Sequence, residues 1–160
     1  MKEIEFKKLQ KLYLSNNNIK DISSLKDFNY LKLKELDLHN NDIFDISVLE
    51  KINFEQLEIL DLTNNKIADI NVLAKANFKE LKELSLRNNQ IKDITVLEKI
   101  KFPELKKLDL SSNEIIDINV LENVNFKELK VLGLISNKIL NINILERVSF
   151  KKIRRITFRF

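Results

Sequence analysis

The chain has 160 residues, 44% of them hydrophobic, and carries a net charge of +4 from 28 basic and 24 acidic side chains. That is enough apolar content for one continuous core, and the charge excess is too thin and too interspersed to argue for nucleic acid as a partner. With no cysteine, one glycine and one proline, a disulfide framework, thiolate chemistry and a flexible linker are excluded.

From the N-terminus, the first recognisable piece is a half unit, Ile4-Glu-Phe6, equivalent to Ile52-Asn-Phe54. Its ring opens a series that recurs every 24 residues: Phe6, Tyr30, Phe54, Phe78, Phe102, Phe126 and Phe150. Three residues after each ring stands Leu9, Leu33, Leu57, Leu81, Leu105, Leu129 or Ile153, with no insertion or deletion in the count. A period this strict describes a stack of one small unit, not a globule around a buried catalytic centre. Six full units begin at the six leucines, and a half unit from Ile153 to Phe160 closes the chain.

Each unit is numbered from its leading leucine. Leucines stand at positions 1, 4 and 6, and those at 4 and 6 alternate around an exposed residue, which predicts a short strand. Position 9 is asparagine in all six units: Asn17, Asn41, Asn65, Asn89, Asn113 and Asn137. Here the chain leaves the strand, and an amide can pair with backbone groups the sheet no longer satisfies. An inward asparagine ladder is therefore expected. Positions 15 to 20 predict one helical turn, either 3₁₀ or α. Ser47-Val-Leu-Glu50, Thr95-Val-Leu-Glu98, Asn119-Val-Leu-Glu122 and Asn143-Ile-Leu-Glu146 have the spacing of a capping box, which assigns the first residue of each as N-cap.

The run L-x-x-L-x-L-x-x-N-x-I-x-D-I-x-x-L, in six consecutive copies, resembles the leucine-rich repeat family. Its N-I-x-D-I-x-x-L half is most similar to the internalin and phosphatase-regulatory types, although this unit is two residues longer than is usual there. The resemblance implies an α/β right-handed solenoid of about six and a half repeats. A parallel β-sheet would line its concave face, and short 3₁₀ or α turns its convex face. It also implies a module that binds a protein or peptide.

Positions 3, 5 and 7 face outward from such a sheet. They vary between units, whereas the frame positions barely change. Three features stand out among them. Asp37, Asp61 and Asp109, with Glu35 and Glu83 alongside, predict an acidic patch suited to a basic peptide, or else a plain solvated face. Ile59, Val131 and Ile135 are β-branched apolar residues aimed at water; Val131 and Ile135 with Gly133 predict a low-relief apolar zone, or else scattered exposed apolars. Tyr13 on the first strand would anchor a partner or cover the sheet edge. Together with His39 and Arg87 these give the candidate contacts: Tyr13, Asp37, His39, Ile59, Asp61, Arg87, Asp109, Val131 and Ile135. Phe44, Ile116 and Leu140 at position 12 form a second rim, or pack against neighbouring loops.

His39 is the only histidine. It stands near Asp37 and Asp61, but a metal site needs converging ligands and a flat sheet splays them, so no metal and no cofactor are expected. One glycine cannot build a phosphate-cradling loop, and no triad or oxyanion hole is in view; an enzyme is not expected. The only carboxylate pair placed for glycan hydrolysis is Asp37 with Asp61. The position-2 column of Lys34, Lys82, Lys106, Lys130 and Arg154 is broken by Glu58 and flanked by acids, so it reads as a solvated flank.

One domain is expected over 1–160, either with minimal caps or as a segment of a longer array that has no partner of its own. Membrane insertion is not expected, because no apolar run approaches the ~20 residues of a span. No signal-peptide core follows Met1, which places the protein in the cytoplasm only if Met1 is the native start. Edge-to-edge self-association through a terminal strand is a further expectation, checked by sedimentation at several concentrations.

Overall fold

The computed structural model describes residues 8–27, 30, 32–148 and 152–158. The half unit Ile4–Phe6, the ring Phe150, and Arg159 and Phe160 lie outside them. Seven three-residue strands form one parallel sheet in chain order. They are β1 (Lys11–Tyr13), β2 (Glu35–Asp37), β3 (Ile59–Asp61), β4 (Glu83–Ser85), β5 (Lys107–Asp109), β6 (Val131–Gly133) and β7 (Arg155–Thr157). The period of the sequence becomes the register: Leu12, Leu36, Leu60, Leu84, Leu108, Leu132 and Ile156 pair in one line across the sheet.

The leucines at positions 1, 4 and 6 form the core with the isoleucines of the returning arm; from Leu33 to Leu134 they are essentially inaccessible. The recurrent ring fills the far side of that core. Tyr30, Phe54, Phe78 and Phe102 run as a file with centroids 5.5, 6.3 and 5.4 Å apart. Each buried ring contributes about 1.5–3 kcal/mol of transfer free energy. Burial also pushes the Tyr30 phenol up to about 12.

Every unit reverses direction at position 8, and there the backbone is left-handed. Asn16, Asn40, Asn64, Asn88, Ser112 and Ser136 have φ between 53° and 58°. Four of the six are asparagine, which tolerates that region better than most residues with a Cβ; serine takes the other two, so the chain makes all six corners without glycine. The next residue builds the ladder. Asn65 donates through Nδ2 to the carbonyls of Leu38 (3.0 Å), Leu62 (3.1 Å) and Thr63 (3.2 Å), and its Oδ1 accepts the Ile43 N–H at 3.0 Å. Asn41, Asn89 and Asn113 repeat this pattern. Each amide thus ties its own turn to the preceding unit and to its arm.

All six helical turns described are 3₁₀: Ser23–Asp27, Ser47–Glu50, Asn71–Ala74, Thr95–Glu98, Asn119–Glu122 and Asn143–Glu146. The capping-box expectation fails here. The cap position of the last five turns is an isoleucine (46, 70, 94, 118 or 142) and makes no side-chain cap bond. The polar first residue is instead the recipient of a cap. Its N–H donates to the Oδ1 two residues earlier: Ser23 to Asp21, Ser47 to Asp45, Asn71 to Asp69, Thr95 to Asp93, Asn119 to Asp117 and Asn143 to Asn141, at 2.7–2.8 Å. A single 3₁₀ turn is too short to fold a capping box back on itself, so an Asx turn before it supplies the acceptor. These bonds hold the carboxyls of Asp21 and Asp93 below the usual range.

Candidate ligand-binding face

Strand register sets the candidate residues in columns. Tyr13, Asp37, Asp61, Ser85, Asp109, Gly133 and Thr157 stand side by side at position 5. Lys11, Glu35, Ile59, Glu83, Lys107, Val131 and Arg155 stand at position 3. Tyr13 is 55% exposed and Arg87 is exposed, whereas Asp37, His39, Ile59, Asp61, Asp109, Val131 and Ile135 are half-buried. The register brings Asp37, His39, Ile59 and Asp61 together on β2 and β3 and their exits. Val131 and Ile135 lie three strands further on.

The carboxylates fall into two kinds. Those at positions 2 and 3 are paired with lysines one unit away. Glu35 meets Lys11 at 2.8 Å, Glu83 meets Lys107 at 3.4 Å, and Glu58 lies between Lys34 (3.1 Å) and Lys82 (2.6 Å). The ammonium groups hold Glu35 and Glu58 below the ordinary carboxylate range. The expected acidic patch therefore contracts to the aspartates, and the basic position-2 column is partly neutralised by Glu58. Among the described residues neither Asp37 nor Asp61 has a lysine or arginine partner.

The aspartates also have a structural task that the sequence pattern did not reveal. Each folds back so that Oδ1 accepts a backbone N–H two residues ahead: His39 to Asp37 (3.0 Å), Thr63 to Asp61 (2.8 Å) and Ser111 to Asp109 (2.9 Å). The signal was an aspartate two residues before His39, Thr63 and Ser111. It was hidden because Tyr13, Ser85 and Gly133 occupy the same position in other units.

Gly133 is not the low point of an open apolar zone. A Cβ there would stand 2.5 Å from Asp109 Oδ1 and 2.9 Å from Ser111 Oγ. The Asp109 carboxylate leans into that space, and Gly133 and Ser111 are both buried. Phe44, Ile116 and Leu140 on the position-12 rim are 62%, 50% and 85% exposed, so packing against neighbouring loops does not cover them.

His39 behaves differently from the expectation of splayed ligands. Its Nδ1 lies 2.8 Å from Asp37 Oδ1, and its Nε2 lies 3.3 Å from Asn16 Nδ2. Ligating atoms of Asp37, His39 and Asp61 all fall within 4.8 Å of one another, because two register-paired aspartates and a residue two places along one strand share a face. Elsewhere, a groove of about 940 Å³ lined by Ala74, Lys99, Ile100, Phe102 and Pro103 lies on the side of the 3₁₀ turns, away from these residues. No helix of the described residues is long and apolar enough to cross a membrane.

The fold has solved counterparts. An internalin (inlF) of Listeria monocytogenes is 28% identical, with a TM-score of 0.63; the match covers 91% of this chain and 46% of that one. Internalin C2 (inlC2) of the same organism is 26% identical, with a TM-score of 0.71, over 94% of this chain and 71% of that one. The chain thus spans about half the length of the first structure and more of the second. These likenesses identify the sheet as the concave side of a solenoid and the 3₁₀ turns as its convex side. No curated protein matches. The family model for leucine-rich repeats in two copies matches residues 7–51, 31–75, 55–99 and 79–123, stepping by one structural unit each time, and with the sheet, the ladder and the corners it establishes that the chain belongs to the leucine-rich repeat family.

Proposed function

We propose that the protein is an interaction module whose concave face binds a protein or peptide carrying basic side chains. The observation that supports this most directly is the pair Asp37 and Asp61, which has no lysine or arginine among the described residues and only the His39 imidazole against Asp37. They are lateral neighbours on a face where the glutamates beside them each have a lysine. A lysine or arginine from a partner would relieve that repulsion and gain a charge-assisted bond. Tyr13 one strand before and Ile59 beside Asp61 supply apolar contact area, and Arg87, Asp109, Val131 and Ile135 extend the face.

A second reading also has an observation behind it. The Oδ1 bonds to His39, Thr63 and Ser111 are what aspartates would make in a solenoid segment with no partner of its own.

Asparagine separates the two, because it keeps the Oδ1 acceptor and removes the charge. Folded protein is panned against a random displayed-peptide library, and the selected peptides are retested on an Asp37→Asn/Asp61→Asn double variant and on an Asp117→Asn convex control. The expected result is a pool enriched in lysine and arginine whose affinity drops at least tenfold in the double variant and holds in the control. Absence of enrichment, or equal binding to all three proteins, would leave the structural reading in place.

A further inference from the structure

We infer that Asp37, His39 and Asp61 form a site for one divalent transition-metal ion of the zinc class. Asp37 and Asp61 are register partners on β2 and β3, and His39 follows Asp37 by two residues, so all three side chains leave the concave face. Asp37 Oδ1 and His39 Nδ1 stand 2.8 Å apart, joined by a hydrogen bond whose proton an ion would displace, and one ligand atom each from Asp37, His39 and Asp61 lie within 4.8 Å of one another. Two donors held ~2.0–2.1 Å from one zinc at tetrahedral or octahedral angles are themselves ~3 Å apart. Once that proton has left, the first pair needs little movement, and Asp61 closes the remaining gap by turning Oδ2 inward about the Oδ1 that holds Thr63.

The donor set selects the class. One imidazole nitrogen with two carboxylate oxygens suits zinc, cobalt or nickel. Calcium and magnesium are hard cations that take oxygen ligands, and the imidazole nitrogen disfavours both. An independent observation is the local charge: Lys11, Lys34, Lys82 and Lys107 pair with Glu35, Glu58 and Glu83, while the two aspartates have no lysine or arginine among the described residues. Two carboxylates side by side repel, and a dication cancels both at once. Asp61 retains its scaffold bond, since its Oδ1 holds the Thr63 N–H and leaves Oδ2 for the ion; Asp37 Oδ1 keeps the His39 N–H on one lone pair and turns the other to the ion. The histidine binds as neutral imidazole through Nδ1; the proton moves to Nε2, and the Asn16 amide, which now presents Nδ2 there, turns its oxygen to accept it. Three protein ligands on an open face leave coordination positions for water, or for a donor from a bound partner.

The test uses untagged, chelator-treated protein. Cobalt(II) is titrated while its d–d absorption is followed, and zinc(II) binding is measured by calorimetry. The expected result is saturation at one equivalent, weakened at least tenfold by His39→Ser and by Asp61→Asn and unchanged by Asp109→Asn. Both active variants are compatible with the scaffold: serine occupies position 7 in Ser15 and Ser111, and asparagine keeps the acceptor for Thr63. Circular dichroism confirms their folding. Lack of saturable one-equivalent binding, or an equal loss in Asp109→Asn, would overturn the site, the latter by reducing it to general attraction to an acidic face. The ion and a basic peptide compete for the same two carboxylates, so the peptide test is run metal-free; metal binding is read without any partner, and its failure leaves the peptide-binding proposal to stand or fall on its own test.

Discussion

At the scale of single residues, asparagine carries this fold. At position 8 of the first four units it accepts a left-handed backbone that serine takes in the next two, and at position 9 of all six it replaces hydrogen bonds the sheet stops supplying. The second role depends on neighbours. Asn65 reaches Leu38 in the unit before and accepts the Ile43 N–H. Among the described residues, Asn17 bonds only Leu14 and Ser15 of its own unit, and it is exposed. Replacing Asn65 with alanine removes three donated bonds and strands a buried N–H, a cost of about 2–4 kcal/mol, whereas Asn17→Ala should cost under about 1 kcal/mol. Urea midpoints measured by circular dichroism compare the two, and equal losses would show that the ladder does not couple units. The ladder was legible because six identical amides in register on an apolar face can satisfy themselves only on the backbone around them. The aspartates at position 5 were not legible as scaffold: only Asp37, Asp61 and Asp109 use the device, and a column holding Tyr13, Ser85 and Gly133 as well looks like variable surface.

At the scale of elements, each three-residue strand and each 3₁₀ turn is too short to be stable alone, so their ends decide whether they form. The strand pattern and the inward face of the turn could be read directly, since Leu49 and Ile52 are buried as their spacing requires. The start of the turn could not, because the S/T/N-x-x-E spacing imitates a capping box while the true acceptor sits two residues upstream. Two neighbouring substitutions should therefore differ in the opposite sense from the one a capping box demands. Asp117→Ala deletes the acceptor of the Asn119 N–H and should cost about 1 kcal/mol. Asn119→Ala keeps that bond and should fall within about 0.5 kcal/mol of wild type. Thermal or urea unfolding of the two variants ranks them, and the opposite order would reinstate Asn119 as the cap.

At the scale of the molecule, every strand touches only its sequence neighbours, and so does every turn. Stability is then a sum of unit terms and interface terms along one dimension. The burial profile shows where those terms are largest. Leu36, Leu60, Leu84 and Leu108 are at most 1% exposed, whereas Leu12, Ile139, Ile142, Ile153 and Ile156 are half-buried at the flanks of the described sheet. A lesion in the middle should therefore act differently from one at the side. Leu84→Ala opens a cavity shared by β3, β4 and β5, with a cost of about 2–5 kcal/mol. It also weakens both interfaces that join the N-terminal and C-terminal units, so the unfolding transition should broaden as the two halves lose cooperativity. Leu12→Ala has one interface to lose and a partly exposed site to relax into; it should lower the midpoint less and leave the steepness unchanged. Hydrogen exchange locates the effect: amides of β3 to β5 should be the slowest in the parent protein. Leu84→Ala should accelerate amides on both sides of β4, and Leu12→Ala only those of the first two units. Uniform acceleration in both variants would mean that the units fold as one globule, and the 24-residue period would then describe its geometry without describing its energetics.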